Sequence, residues 1–188
     1  MKIEKHPFQP YISPHAKVLF LGTFPPQQKR WSMNFYYPNW TNDFWRIMGL
    51  LFFDDKDYFC IRQEKTFDLV KIKDFLDSRG IALSDTAKEV IRLKDNASDK
   101  FLEIVTPLDL DFFFNECPEL VMVVTTGEKA ASVISSITES ALPSMGECFN
   151  VIYKGREFKH FRMPSTSRAY PLALNQKAEY YEKVFKNL

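Results

Sequence analysis

Cysteine and histidine are scarce in this chain of 188 residues, with three of each. Cys60, Cys117 and Cys148 lie far apart with no CxxC spacing, which argues against a disulfide framework and against an all-cysteine metal or iron–sulfur site. His6, His15 and His160 are scattered and make no metal or nucleophile constellation, so they read as surface or structural groups. An excess of one charge is also lacking: 25 Lys and Arg against 24 Asp and Glu leave a net charge of +1. Nucleic-acid binding therefore cannot be argued from overall basicity and would need a local patch. No apolar run approaches the length of a membrane span, and the start MKIEKHPFQP has no signal-peptide core. Internal repeats and low-complexity tracts are absent as well. What remains, with 45% apolar residues, is an ordered globular chain. The expectation is one domain over 1–188, cytoplasmic and monomeric, with reduced thiols, no cofactor, no metal and no membrane partner.

The most informative stretch runs from Lys17 to Leu51. Val18 to Leu21 is an apolar run closing on Gly22, the pattern of a strand buried on both faces. A Pro-rich turn, Thr23-Phe24-Pro25-Pro26, follows at the strand's C-terminal end, where ligands bind in open α/β sheets. A long aromatic loop then leads to Thr41-Asn42-Asp43, a helix start, and a helix from Phe44. Residues 1–16 read as an arm whose prolines prevent regular structure. Further on, the spacing predicts a helix within 66–79 stopped by Gly80, a strand over Ile81–Leu83, a helix over Thr86–Leu93, a polar loop over 94–100 and a helix over Leu108–Asn115. Leu120–Val124 is the clearest strand; Thr125 and Glu128 have capping-box spacing for the helix after it. Segments 149–153 and 157–163 suit a hairpin, and Pro171 can open a last helix. Alternating strands and helices predict a three-layer α/β/α sandwich on a mostly parallel, four-stranded central sheet.

Three of these strands end in polar loops: Gly22–Pro26, Ser84-Asp85 and Met163–Arg168. If the strands are parallel, the loops converge on one edge of the sheet. Near the last loop stand Lys154, Arg156, Lys159, Arg162 and Arg168, and Lys29 and Arg30 extend the first loop in the same sense. Such a rim suits a base inserted into a pocket while its phosphates stay outside, although charge clusters also simply solvate a surface.

The segments LGTFPP, YYPNWTNDFW, Ile47-Met48-Gly49 and, late in the chain, MPSTSRA together resemble the uracil-DNA glycosylase superfamily, most closely its hypoxanthine-DNA (deoxyinosine) glycosylase branch. Gly80 to Asp85, GIALSD, is similar to a GIALWD segment of that branch, and TTGEKA at Thr125–Ala130 falls where such proteins place a strand, a Gly-Lys turn and a helix. The resemblance covers most of Lys17–Tyr170. It implies a monofunctional DNA repair glycosylase that flips a deaminated base, hypoxanthine or uracil, out of damaged DNA and hydrolyses its N-glycosidic bond. The site would stabilise a departing base anion and present a water to the sugar.

By this resemblance Asn42 is the catalytic residue that positions water or base, while its bare sequence context favours a helix cap, and both roles can coexist. Gly22, Thr23, Phe24, Pro25, Tyr37, Ser84 and Asp85 would contact the base, with Phe24 and Tyr37 stacking on it or packing in the core. Asp85 would accept from a ring N–H, which uracil and hypoxanthine both offer, or else cap a following helix. Lys29, Arg30, Arg162, Ser165, Thr166, Ser167, Arg168 and Tyr170 would meet the DNA, the last two near the wedge that fills the vacated stack. Four positions depart from the pattern: Pro26 replaces a glycine, Phe24 an activating Asp or Asn of other branches, Met163 a histidine of many branches that the hypoxanthine branch also lacks, and Arg168 a proline. Two other readings remain: a catalytically silent nucleic-acid or nucleotide binding module, and an unrelated α/β protein whose Pro-rich loop holds a small ligand.

Overall fold

A computed structural model describes residues 2–94 and 98–188. The elements in chain order are β1 (Ile3–Lys5), β2 (Val18–Gly22), α1 (Phe44–Phe53), β3 (Cys60–Ile61), β4 (Thr66–Phe67), α2 (Leu69–Arg79), β5 (Ile81–Asp85), β6 (Ala87–Arg92), β7 (Leu102–Pro107), α3 (Leu110–Glu116), β8 (Met122–Thr126), α4 (Glu128–Thr138), β9 (Cys148–Tyr153), β10 (Arg156–Met163) and α5 (Leu174–Phe185). Among the described residues the central sheet has five strands in the order β5-β2-β8-β10-β9. The first four run parallel, and β9 pairs antiparallel with β10 at the edge. The sheet is mostly parallel, as expected, but has five strands rather than four because the hairpin strand β9 joins its edge.

The sheet is covered on both faces because β2 alternates its apolar side chains between them. Val18 and Phe20 meet Phe44, Trp45 and Met48 of α1, Ile72 and Leu76 of α2, and Tyr181 and Val184 of α5. Leu19 and Leu21 meet Leu110 and Phe113 of α3 and Ile134 of α4. These are the three layers read from the sequence. Gly80 ends α2 at φ 61° in the left-handed region, as its place after a helix demands.

Four local expectations are corrected. Residues 87–92 form a strand, not a helix, in a second sheet ordered β1-β6-β7. The buried pair Ala87 and Val90 is three apart, a helical spacing. It arises because the pairing with β7 shifts register between Ala87, Glu89 and Val90, and that bulge breaks the two-residue alternation. The arm is ordered rather than irregular: β1 pairs with β6, and Tyr11 bridges to Leu83 across the edge of β5. Thr125 does not cap α4; its hydroxyl donates to the Phe161 carbonyl, and Gly127 starts the helix at φ 124°. The last helix begins at Leu174, three residues after Pro171. Of the loop expected over 94–100, residues 95–97 lie outside the described residues, and Asp99–Phe101 form a turn of 3-10 helix.

His160 on β10 is fully buried, with Nε2 3.1 Å from the Thr125 hydroxyl and, among the described residues, no partner for Nδ1. Burial lowers its pKa from 6.5 to about 4. The unfolded chain therefore binds a proton that the folded chain refuses, and stability falls as pH drops from 6.5 towards 4. Urea unfolding at pH 7.5 and pH 4.5 should show a loss that is smaller by about 2–3 kcal/mol in His160→Leu. Equal losses in the two proteins would remove His160 as the cause.

Candidate active site

β5, β2, β8 and β10 all end at the same edge of the sheet, and their C-terminal loops enclose a pocket of about 120 Å³. An apolar cavity of about 150 Å³ holds a benzene, so this space is on the scale of one planar ring. Its wall is built from Gly22, Thr23, Phe24, Pro25 and Pro26 after β2, Tyr37, Pro38, Asn39 and Asn42 before α1, and Asp85 at the end of β5. Asp99, Thr126 and the turn Ser165–Ser167 complete it. The convergence expected from the three polar loops is what the topology delivers.

Asn42 takes both of the places open to it. Its Oδ1 accepts from Phe44 N at 2.9 Å, closing the first turn of α1, and the residue lines the pocket. A carbonyl oxygen has a second lone pair and the amide two donors, so the turn leaves Asn42 with capacity to spare. Tyr37 is held at φ 53°, a strained conformation for an aromatic residue. Its ring lies flat on Phe44 with centroids 3.8 Å apart, so that face is covered. Its hydroxyl sits 3.2 Å from Thr126 Oγ1. Burial, then the charge of Asp85, drives the phenol far above its ordinary range and keeps it neutral. Phe24 lines the pocket and packs behind it with Ala87, Val90 and Leu102.

Asp85 reaches the pocket because position 22 is glycine: a Cβ there would lie 2.5 Å from Asp85 Oδ1. The second oxygen, Oδ2, is 2.8 Å from Nε2 of His6. Of the two readings the sequence left for His6, surface or structural, the surface one does not hold: its imidazole lies against the pocket's carboxylate. A second acid, Asp99, also lines the pocket; burial raises its pKa, the Thr23 hydroxyl opposes this, and the charge of Asp85 adds to it.

Beneath the Ser165–Ser167 turn is a buried ion pair that links the two halves of the site. Asp43 Oδ2 lies 2.9 Å from Nζ of Lys177, a lysine with no exposed surface, and Oδ1 lies 3.1 Å from Arg168. Lys177 also donates to the Ser167 carbonyl at 2.7 Å, and Asp43 N to the Thr166 carbonyl at 2.9 Å. The sequence points to neither residue, because lysine is the last side chain expected in a core.

The remaining expected contacts are placed less uniformly. Ser84 does not line this pocket; it faces the neighbouring hollow beside Phe8 and Phe113. Ser165 Oγ and Ser167 Oγ accept from the backbone N–H groups of Ser167 and Ala169, folding the turn on itself. Thr166 is buried. Arg168 is turned towards Asp43, and the Tyr170 hydroxyl towards Met145. Lys29 and Arg30 are exposed on a short 3-10 helix, Gln28–Arg30. Of the basic cluster, Lys154 pairs with Asp111 and Arg156 bonds the Pro118 carbonyl, both at the start of the β9–β10 hairpin return and away from the pocket. Arg162 lies near the site end of β10, 2.6 Å from Glu128. The cations expected as one rim are therefore spread along a whole strand.

Among the described residues no three His, Cys, Asp or Glu side chains are grouped to hold a metal ion, and no helix is long and apolar enough to cross a membrane. No family model matches the chain, and no curated protein matches it in sequence. A solved structure does. The solution NMR structure of a protein from Methanosarcina acetivorans, proposed to be a uracil DNA glycosylase, superposes with a TM-score of 0.66 at 21% identity. The match covers 99% of this chain and 98% of that one, and the two share one fold over almost their entire lengths.

Proposed function

We propose that this protein is a monofunctional DNA glycosylase that hydrolyses the N-glycosidic bond of a deaminated base, uracil or hypoxanthine. One observation carries the reading: the loop after Gly22, Asn42, Asp85 and the Ser165–Ser167 turn, which lie far apart in sequence, line a single ring-sized pocket. The neighbour of like fold, itself proposed to act on uracil in DNA, supports the choice of substrate class.

In this mechanism the flipped base enters beside Gly22 and offers its ring N–H to Asp85 Oδ1. Bond cleavage builds positive charge on the sugar and negative charge on the base. Asn42 orients the attacking water through the lone pair its turn leaves unused; an amide is too weak a base to take the proton outright. The rate therefore rests chiefly on stabilising the leaving base, whose anion takes up the proton that the water gives up as it bonds to the sugar. Ser165 and Ser167 stand at the mouth, where the flanking phosphates would lie.

The binding-only reading draws on one observation, the engagement of Asn42 Oδ1 by Phe44 N–H. Base release from duplexes carrying uracil, hypoxanthine or no lesion separates the two. Release from one lesion and not from the unmodified duplex is expected and names the substrate. Binding that weakens steeply with salt, without release from any lesion, would leave the binding module in its place.

A further inference from the structure

The pair His6–Asp85 joins the N-terminal arm to the end of β5 at 2.8 Å, beside the pocket. We infer that His6, carried by the N-terminal arm, is the positioning residue that aims Asp85 at the ring N–H of the base and so sets which bases the pocket accepts. The inference rests on the glycosylase reading and deepens it.

The geometry supports a directed role. The torsion that turns a carboxylate is broad and roughly two-fold, so an unpartnered Asp85 would present either oxygen in a range of orientations. Here one end of the carboxylate is held, Oδ2 lying 2.8 Å from His6 Nε2, and the missing Cβ of Gly22, which would stand 2.5 Å from Oδ1, leaves room for the other. Oδ1 is left as the acceptor on the pocket side. His6 is fixed in its turn. Its backbone N donates to the Lys88 carbonyl at 2.8 Å, and Phe8 N lies 3.1 Å from its Nδ1. Its ring stacks on Tyr36 at 5.8 Å and meets the edge of Phe24 at 5.2 Å. Nδ1 lies 2.9 Å from the Phe8 carbonyl as well, and because a carboxylate only accepts, Nε2 carries a proton and donates to Asp85. Both side chains are largely removed from solvent, at 11% and 8% exposure, where such a bond orients more firmly than at a surface.

An acceptor so fixed selects bases whose ring nitrogen carries a hydrogen and rejects those presenting a lone pair or a methyl at that position. Sites built to satisfy a buried polar group discriminate strongly because the wrong ligand leaves that group unpaired. A contact that merely pinned the arm would affect stability and leave this selection untouched.

The test compares single-turnover release of the lesion the wild-type protein accepts with that of its ring-N-methyl counterpart, 3-methyluracil for uracil or 1-methylhypoxanthine for hypoxanthine. The wild-type protein is expected to favour the unmethylated base by about 10²-fold or more. In His6→Ala that ratio should fall by about tenfold or more. His6→Gln, whose terminal amide can still donate to Asp85, should recover much of it. Unfolding midpoints recorded alongside show whether the arm stays folded. An unchanged ratio in His6→Ala, with or without a slower rate, overturns the inference. So does equal impairment of the Ala and Gln variants with a matching loss of stability. Failure of the wild-type protein to release any lesion would instead remove the glycosylase reading itself.

Discussion

Asn42→Ser should stop base release while leaving the fold as stable as before. The substitution separates the turn that the Asn42 side chain makes from the catalytic role proposed for it. Asn42 Oδ1 accepts from Phe44 N at 2.9 Å, and the Asn42 N–H donates to the Asn39 carbonyl at 2.8 Å. A serine hydroxyl makes the same kind of short turn to the backbone and is as good a helix start as asparagine. The proposed role, orienting a water in the pocket, needs the longer amide. Single-turnover release should therefore fall by about 10²-fold or more, the usual weight of a positioned group in proton transfer. The unfolding free energy from urea titration should change by no more than about 0.5 kcal/mol. Asn42→Ala, which loses the turn as well, should show the same kinetic defect with roughly 1 kcal/mol less stability. A serine variant that keeps its rate would reduce Asn42 to a helix start, and the reading of the pocket as catalytic would lose its central residue.

The parts of this arrangement that the sequence makes legible are those encoded locally. β2 is an uninterrupted apolar run, α1 follows an Asx turn, and α2 ends on the glycine its left-handed cap requires, so each announces itself within ten residues. The edge of the sheet where the loops meet follows from parallel strands alone. β6 is hidden because a bulge places Ala87 and Val90 three apart and so imitates a helix. Thr125 looks like a cap because nothing local reveals that its hydroxyl is spent on Phe161 in the neighbouring strand. His6 and Lys177 are illegible for a related reason: their partners, Asp85 and Asp43, stand 79 and 134 residues away. Neither side chain lies in a motif, and a polar residue in an arm or on a helix reads as solvated until the fold brings its partner. Asp99 falls in a polar stretch that resembles a surface loop and carries no signal at all.

Lys177→Met is expected to cost the protein about 3 kcal/mol or more of stability, the largest loss among single changes outside the apolar core. Lys177 has no exposed surface and holds both Asp43 Oδ2, at 2.9 Å, and the Ser167 carbonyl, at 2.7 Å. Removing it leaves a carboxylate that is itself buried, partnered among the described side chains by the half-exposed Arg168. An uncompensated buried charge typically costs about 3–5 kcal/mol. At roughly 2–4 °C per kcal/mol for a chain of this size, the melting midpoint should drop by about 6 °C or more. Much of that loss belongs to the stranded Asp43, so the double variant Asp43→Asn, Lys177→Met should recover a large part of it. The pair also ties α5 to the start of α1 and to the Ser165–Ser167 turn, which gives the change a second readout. With the Ser167 carbonyl released, the turn is freer to leave the mouth of the pocket, and affinity for a lesion duplex should fall even at temperatures where the fold survives. A loss below about 1 kcal/mol would mean that water takes the place of the lysine, and that the turn is held by Tyr181, which donates to the Pro164 carbonyl at 2.7 Å, rather than by charge.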